Sequence, residues 1–347
     1  MSKLIIQNGN MCELDLPLKF AQKLYNEFAI RHPNAFYLRT RQRGMQNWDG
    51  KIHYITKTGQ FKIGLLPKVY DMCIEMGIKP KVVDMRQPLP KVSKVVTNIG
   101  KYKLRPEQEK AVKSVINNRV GDTPFHIGVL DYTVNAGKTL IMSSLYLTYK
   151  KQLKTLLITN DSDWLNQARE EFKQYLPGED ITFVQGKVLN WSNFTIGMVQ
   201  SISRNMRFYQ KELSQIDMVL VDEADQGGSK QYQNVITRLF NTRIRIGLSG
   251  TIYMSKLAKD KVKNMNLECF FGKVIAEFKL KDSIKKGYST KTIVKMVPGK
   301  PWYGNWESDC ISYKEIYDDS ITENNTAWTM AYNRLRWNIN QGRYPAL

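Results

Sequence analysis

Residues 126–142 read HIGVLDYTVNAGKTLIM. The first half is an apolar run of strand length. The second half turns through Asn135, Ala136 and Gly137 into Lys138 and Thr139, where an apolar helical pattern begins. A buried strand, a short glycine-containing loop and a helix start together aim backbone N–H groups at an anion, and Gly137 lets the backbone come close to it. On this reading Thr133, Val134, Asn135, Ala136, Gly137, Lys138 and Thr139 cradle the phosphates of ATP. Lys138 reaches the β- and γ-phosphates, and the Thr139 hydroxyl holds Mg²⁺. The loop departs from the full pattern in one place: Tyr132 stands where its first glycine belongs. Gly-Lys followed by Ser or Thr arises by chance in about one chain of this size in six, and an ordinary helix-start turn fits the local residues as well.

The surroundings decide between the two. Met218-Val219-Leu220-Val221-Asp222-Glu223-Ala224-Asp225 is an apolar strand that ends in carboxylates. In a parallel sheet such an end lies at the carboxyl edge, where the phosphate loop also lies. Asp222 then holds Mg²⁺ through water, and Glu223 orients or deprotonates the attacking water. Further short apolar strands are expected at His126–Leu130, Thr155–Thr159, Ile181–Val184, Phe194–Val199 and Ile244–Leu248, alternating with helical stretches. That alternation predicts an α/β fold, a parallel sheet flanked by helices, over residues 104–298.

Three more segments fall into this scheme. Leu104-Arg105-Pro106-Glu107-Gln108 opens a helix just before the first sheet strand. The Gln108 amide, both donor and acceptor, is suited to an adenine edge, and Arg105 is assigned to the same nucleotide site. Ser249, Gly250 and Thr251 end another strand, where their hydroxyls couple the acidic site to a nucleic-acid groove. Thr159-Asn160 and Gln200-Ser201 end two more strands with small polar groups that suit a nucleic-acid backbone. Read singly, each of these is also an ordinary turn or helix cap.

Charge names the class of partner. The 347 residues carry 52 Lys/Arg against 32 Asp/Glu, a net charge of +20, which favours a polyanion, nucleic acid before membrane. No apolar run reaches the roughly 18–20 residues needed to span a bilayer, and no signal peptide or lipidation motif is present, so the expectation is a soluble protein of the cytoplasm. Cys12, Cys73, Cys269 and Cys310 lie far apart and the three histidines form no cluster, which argues against a zinc site or a disulfide scaffold.

The first hundred residues are the more basic part, with sixteen Lys/Arg against seven Asp/Glu. Residues 1–85 read as a small α+β domain. Strands are expected at Leu4–Ile6, Cys12–Leu16, Ala35–Arg39 and Lys51–Thr56, and helices from Pro17 to about Arg31 and over Leu65–Met76. If Ala35–Arg43 continues as a strand, Arg39, Arg41 and Arg43 share a face that tracks a phosphate backbone, with Lys51 extending the patch. Trp48 then either stacks on an unpaired base or packs in the domain core. Residues 86–103 read as a basic linker, and residues 299–347 as a linker and helix.

The ordered set Leu-Arg-Pro-x-Gln, Ala-Gly-Lys-Thr, Asp-Glu-Ala-Asp and Leu-Ser-Gly-Thr resembles the first RecA-like domain of superfamily 2 helicases. Asn47-Trp48-Asp49-Gly50-Lys51-Ile52 and Gly64-Leu65-Leu66 narrow the resemblance to the branched-DNA helicases of T-even phages. It implies a P-loop NTPase with ATP and Mg²⁺ as cofactors. The implied partner is branched or single-stranded DNA, and the implied activities are unwinding, branch migration, fork regression and R-loop removal. Lys138, Thr139, Asp222, Glu223 and Gln108 match the family's nucleotide-site positions, and Ser249 and Thr251 match its coupling motif. Asp-Glu-Ala-Asp also occurs in RNA helicases, but Thr159-Asn160 and Ser249-Gly250-Thr251 depart from that group's motifs, so DNA is favoured over RNA. No Gln-x-x-Gly-Arg-x-x-Arg follows, so the second RecA-like domain is expected from a continuation or a partner chain, and this chain alone is expected to be weakly active. The other readings are an ATP- and DNA-binding subunit, an RNA helicase and a restriction-type translocase subunit.

Overall fold

The computed structural model describes residues 2–41, 44–45, 47–92, 94–149, 152–186, 188–252 and 260–290, with residues 329 and 336. Arg43 therefore lies outside the described residues, as do the rest of residues 291–347 and the helix expected there. Met1–Thr290 forms one compact unit.

Among the described residues the central sheet has eight strands. Their order is Val188–Leu189, Ile181–Gln185, Phe194–Met198, Thr155–Thr159, Met218–Asp222, Ile244–Ser249, His126–Tyr132 and Val274–Phe278. Seven run parallel, and the short Val188–Leu189 strand pairs antiparallel at one edge. The six strands expected from the sequence are all present. Val274–Phe278 was not expected: it is an edge strand with an exposed Glu277, so its pattern lacks the apolar run that marks the interior strands.

The side-chain alternation of each strand divides the core in two. Val219 and Val221 face one layer, together with Ile127, Val129, Leu156 and Ile158. Met218 and Leu220 face the other, with Leu130, Tyr132, Leu157 and Ile246. Because both faces are covered, the strands read as continuous apolar runs. Parallel pairing also brings the ends of all the interior strands to one edge, so Tyr132, Thr159, Met198, Asp222 and Ser249 are gathered there.

The small lobe has a four-stranded sheet in the order Gln60–Lys62, Met11–Asp15, Lys3–Ile6 and Lys81–Asp84. Two expectations fail in it. The first helix stops at Glu27 rather than near Arg31, because Ala29–Arg31 pairs antiparallel with Lys51–His53. That pairing leaves no partner for a strand at Ala35–Arg39, and Ala35–Arg41 is a helix, started by the Leu38 N–H on the Asn34 carbonyl.

The lobe is joined to the sheet domain through buried polar contacts. Arg245, in the middle of a sheet strand, is fully buried. Its guanidinium donates to Gly9 O (2.6 Å), Asn10 Oδ1 (2.7 Å) and Phe270 O (3.1 Å). Gly64 sits so close to the helix Lys261–Phe271 that a Cβ would lie 2.1 Å from Glu268 O. Residues 86–103, expected as a linker, lie against the sheet domain. Leu89, Val92, Val95 and Val96 pack on its core, and Asn98–Ile99 and Tyr102–Lys103 form a hairpin.

Candidate nucleotide and nucleic-acid site

The loop after His126–Tyr132 makes two left-handed turns, at Asn135 (φ 62°) and Gly137 (φ 75°), and enters the helix Lys138–Thr148. Gly137 is required twice over. Its backbone angle is costly for any other residue, and a Cβ there would lie 2.2 Å from Gln108 Nε2. Gln108 lies beneath the loop, almost wholly buried. Its Nε2 donates to Ala136 O (2.8 Å) and its Oε1 accepts from Arg105 N (2.8 Å), closing a capping box on the helix Pro106–Asn117. Both ends of the amide expected at an adenine edge are thus engaged inside the protein.

Lys138 Nζ stands 3.4 Å from Asp222 Oδ1. Burial raises the Asp222 pKa, and Lys138 pulls it back. Oδ1 is buried and accepts no well-aligned hydrogen bond. An orphaned anionic oxygen beside a lysine, with Thr139 in the first turn of the loop helix, fits a divalent cation whose other ligands are phosphate oxygens and water. Glu223 follows in a left-handed conformation (φ 51°) that a non-glycine residue adopts only under strain. It is exposed, and its pKa is raised first by partial burial and then by Asp222 and Asp225.

Asp225 and Gln226, three and four residues beyond Asp222 in the chain, hydrogen-bond the neighbouring strand ends. Ser249 Oγ donates to Asp225 Oδ1 (3.1 Å) and accepts from Thr251 N (3.2 Å). Asn160 Nδ2 donates to Gln226 Oε1 (2.6 Å), and Gln200 Nε2 donates to Asn160 O (3.2 Å). In the sequence Asp225 reads only as the end of the Asp-Glu-Ala-Asp motif, with no role of its own, and Gln226, which follows it, is not singled out. Of the four candidate backbone contacts, Asn160 and Gln200 remain half-exposed, while Thr159 and Ser201 are buried. Thr159 Oγ1 accepts from Asp161 N and Ser201 Oγ from Gly186 N, so both hydroxyls shape loops instead of facing outward.

In the small lobe, Arg39 and Arg41 are exposed, but on a helix. Two residues apart, they point in nearly opposite directions rather than along one face. Arg41 lies over the Tyr37 ring at 4.9 Å, and Phe36 and Tyr37 are exposed on the same helix. Trp48 is half-buried. Its Nε1 donates to Lys51 O (2.9 Å) and its ring meets His32 edge-on, an arrangement between the two that were expected. Among the described residues no helix is long and apolar enough to cross a membrane.

Residues 101–254 match the family model described as "Type III restriction enzyme, res subunit". The chain is 22% identical over 228 residues to the ATP-dependent DNA helicase uvsW of Enterobacteria phage T4, a match covering 59% of this chain and 43% of that protein. A crystal structure of the bacteriophage T4 UvsW helicase superposes with a TM-score of 0.60 at 21% identity, over 80% of this chain and 99% of that one. A second T4 UvsW structure gives 0.60 at 20% identity, over 79% of this chain and 56% of that one. The chain thus spans less than half the length of the curated relative it matches. By its sheet topology, its motif order and these matches, the chain has a RecA-like fold preceded by a small α+β lobe and resembles the superfamily 2 helicase UvsW.

Proposed function

We propose that this chain binds ATP with Mg²⁺ and couples its hydrolysis to work on DNA, as part of a helicase or translocase acting on branched or single-stranded substrates. The observation that carries this reading is the short segment Asp222–Gln226, which pairs with Lys138 at its start and hydrogen-bonds the neighbouring strand-end loops at its end. Asp222 faces Lys138, Asp225 accepts from Ser249 and Gln226 accepts from Asn160, which Gln200 also meets, so five consecutive residues join the nucleotide centre to the Asn160–Gln200 edge. A change in charge at the phosphates therefore has a short route to the groups placed to meet a nucleic-acid backbone.

In this scheme Lys138 and the loop amides bind the phosphates, and Thr139 and Asp222 hold the metal, which supplies charge neutralisation when bound. Glu223 orients or accepts a proton from the attacking water. A second RecA-like domain, in the same polypeptide or in a partner, adds the arginine that such sites use to stabilise the transition state. Without it turnover is low, by on the order of 10³-fold or more. The basic, aromatic helix Ala35–Arg41 provides a further DNA contact. The resemblance to a phage helicase supports a place in a host cytoplasm and a role in recombination, repair or replication of DNA.

The test is Mg·ATP binding and turnover by the purified chain, with and without forked DNA and a matched RNA fork. The expected result is ATP binding that Lys138→Ala abolishes, and slow turnover that DNA raises more than RNA. ATP binding of equal strength in Lys138→Ala removes the nucleotide assignment, and equal stimulation by RNA removes the DNA preference.

A further inference from the structure

At the amino edge of the central sheet, opposite the phosphate loop, lies a cavity of about 570 Å³. His126, the first residue of the strand that ends at Tyr132, lines it, as does Arg243, just before the strand Ile244–Ser249. The segment running from Asp84 to Val92, which leaves the small lobe, completes the lining. We propose that this cavity is a second small-molecule site, for a nucleoside monophosphate, in which His126 and Tyr149 read the base and Arg119 and Lys91 meet the phosphate.

Two almost wholly buried side chains in the lining carry a polar atom without a partner. His126 is 8% exposed and Tyr149 is 3% exposed. His126 Nδ1 lies 2.8 Å from the Val115 carbonyl, which can only accept, so Nδ1 carries the proton. Burial first, and then Arg86 and Arg119, push the imidazole pKa down against the opposing pull of that bond. The ring is therefore neutral, and Nε2 is an acceptor. Burial pushes the Tyr149 pKa up to about 12, so its hydroxyl keeps its proton and can give or accept a bond. Neither Nε2 nor the Tyr149 hydroxyl has a hydrogen-bond partner among the described residues, and neither atom is sealed off. Both open into the cavity that their residues line. One group that only accepts, beside one that also donates, matches a nucleobase edge, which presents N–H donors next to acceptors.

The charges divide in the same way. Arg86 is committed to Asp84 (2.7 Å) and Arg243 to Asp217 (2.7 Å). Arg243 Nη1 also donates to Pro88 O (2.6 Å), which fixes the segment over the sheet before any ligand arrives. Arg119 and Lys91 are exposed in the lining and form no ion pair among the described residues. Arg119 gives one N–H to Asp122 O (2.9 Å) and keeps the rest of its fork for an anion. Pro88, Leu89 and Pro90 supply an apolar wall for a flat ring. The volume suits one nucleotide and not a strand. The groups assigned above to a nucleic-acid backbone stand at the other edge of the sheet.

The experiment is photolabelling of the full chain with azido-AMP, followed by mapping of the labelled peptides. Label should appear around Tyr149 and on the segment Gln87–Val92, and should saturate. Unlabelled AMP should protect at least about tenfold better than inorganic phosphate. Tyr149→Phe removes only the hydroxyl. His126→Asn keeps a donor where Nδ1 stands and removes Nε2. Each should weaken labelling about five- to tenfold, the loss expected for one hydrogen bond, and Arg119→Gln should weaken it about threefold or more. Tyr149→Phe breaks no hydrogen bond in the structure, so it decides the matter even where His126→Asn folds poorly. No label on these segments, or undiminished labelling in Tyr149→Phe and His126→Asn, overturns the proposal. Equal protection by phosphate overturns the base contact. Stronger protection by a 5′-phosphorylated oligonucleotide than by AMP makes the occupant a DNA end and overturns the free nucleotide.

Discussion

The ammonium of Lys138 and the buried Oδ1 of Asp222 face each other at 3.4 Å across the carboxyl edge of the sheet. Each is the other's charge partner until a nucleotide arrives. Asp222 is almost wholly buried, and its pKa is raised by burial more than Lys138 lowers it. Lys138→Ala should therefore cost stability as well as nucleotide binding. Breaking a buried pair costs about 3–5 kcal/mol, and the 21% exposure of Lys138 brings the expected loss to about 1–3 kcal/mol. The sign with pH follows from the raised carboxyl. In the variant the folded-state pKa of Asp222 lies further above the unfolded value. The extra destabilisation is therefore small in acid, grows as pH rises from the native chain's folded value to the variant's higher one, and is constant above that. Urea melts at pH 4 and pH 8 should show the larger deficit at pH 8, and Lys138→Ala/Asp222→Asn should recover part of it. An equal deficit at both pH values would dissociate the two residues.

Glu223, to which we assign the activation of water, sits at a left-handed backbone angle. Its φ of 51° is one that glycine adopts without penalty and other residues reach at a cost of about 1 kcal/mol or more. Glu223→Gln and Glu223→Gly should both bind Mg·ATP and both lose hydrolysis by about 10²–10⁴-fold. The glycine variant should nevertheless be the more stable of the two, by about 1 kcal/mol. Thermal melts of the pair, which differ little in charge, isolate the backbone contribution. A glycine variant no more stable than the glutamine variant would falsify the idea that strain is held at this position.

Arg245 crosses from the sheet to the small lobe with carbonyls and an amide as its recorded hydrogen-bond acceptors. Burial pushes its pKa down, so the charge is retained at a cost that the three acceptors offset. Arg245→Ala removes the donor to Gly9 O, Phe270 O and Asn10 Oδ1 and should destabilise by about 3 kcal/mol or more. Arg245→Lys, which lacks the planar fork, should lose at least half as much. Hydrogen exchange should quicken around Asn10 and Ile63, the backbone nearest the junction, before it does in the central strands. A methionine variant with native stability would show that the arginine is dispensable.

The interior of the sheet domain was legible because parallel strands covered on both faces leave apolar runs, as at Met218–Asp222, and because phosphate chemistry requires particular residues at Gly137, Lys138 and Asp222. What the sequence hid depends on contacts between distant segments. Gln108 has a residue type that fits an adenine edge, and only the position of Ala136 O shows its amide already engaged. Thr159 and Ser201 stand at the right strand ends, but rotamer and burial turn their hydroxyls inward. Val274–Phe278 is an edge strand whose exposed Glu277 breaks the pattern. The Ala35–Arg41 segment misled for a physical reason: its aromatic and threonine residues favour a strand, while the available pairing partner, Lys51–His53, is taken by Ala29–Arg31.

That helix changes what the arginines of the small lobe are expected to do. On a strand, Arg39 and Arg41 would lie side by side against one phosphate backbone, and removing both would lower the salt dependence of DNA binding by nearly two units of log–log slope. On the helix they diverge by about 200°, so a single backbone meets one of them. Arg41, stacked on Tyr37, also carries an aromatic face that suits an unpaired base. Arg39→Ala/Arg41→Ala should therefore lower the slope by about one unit on duplex DNA. Tyr37→Ala should weaken binding to forked or single-stranded DNA with little change in slope, since stacking releases no counterions. Binding isotherms over a range of salt concentrations separate the two effects. A slope change near two for the double variant would mean that the DNA wraps the helix and meets both arginines. No change for either variant would move the lobe's nucleic-acid contact elsewhere.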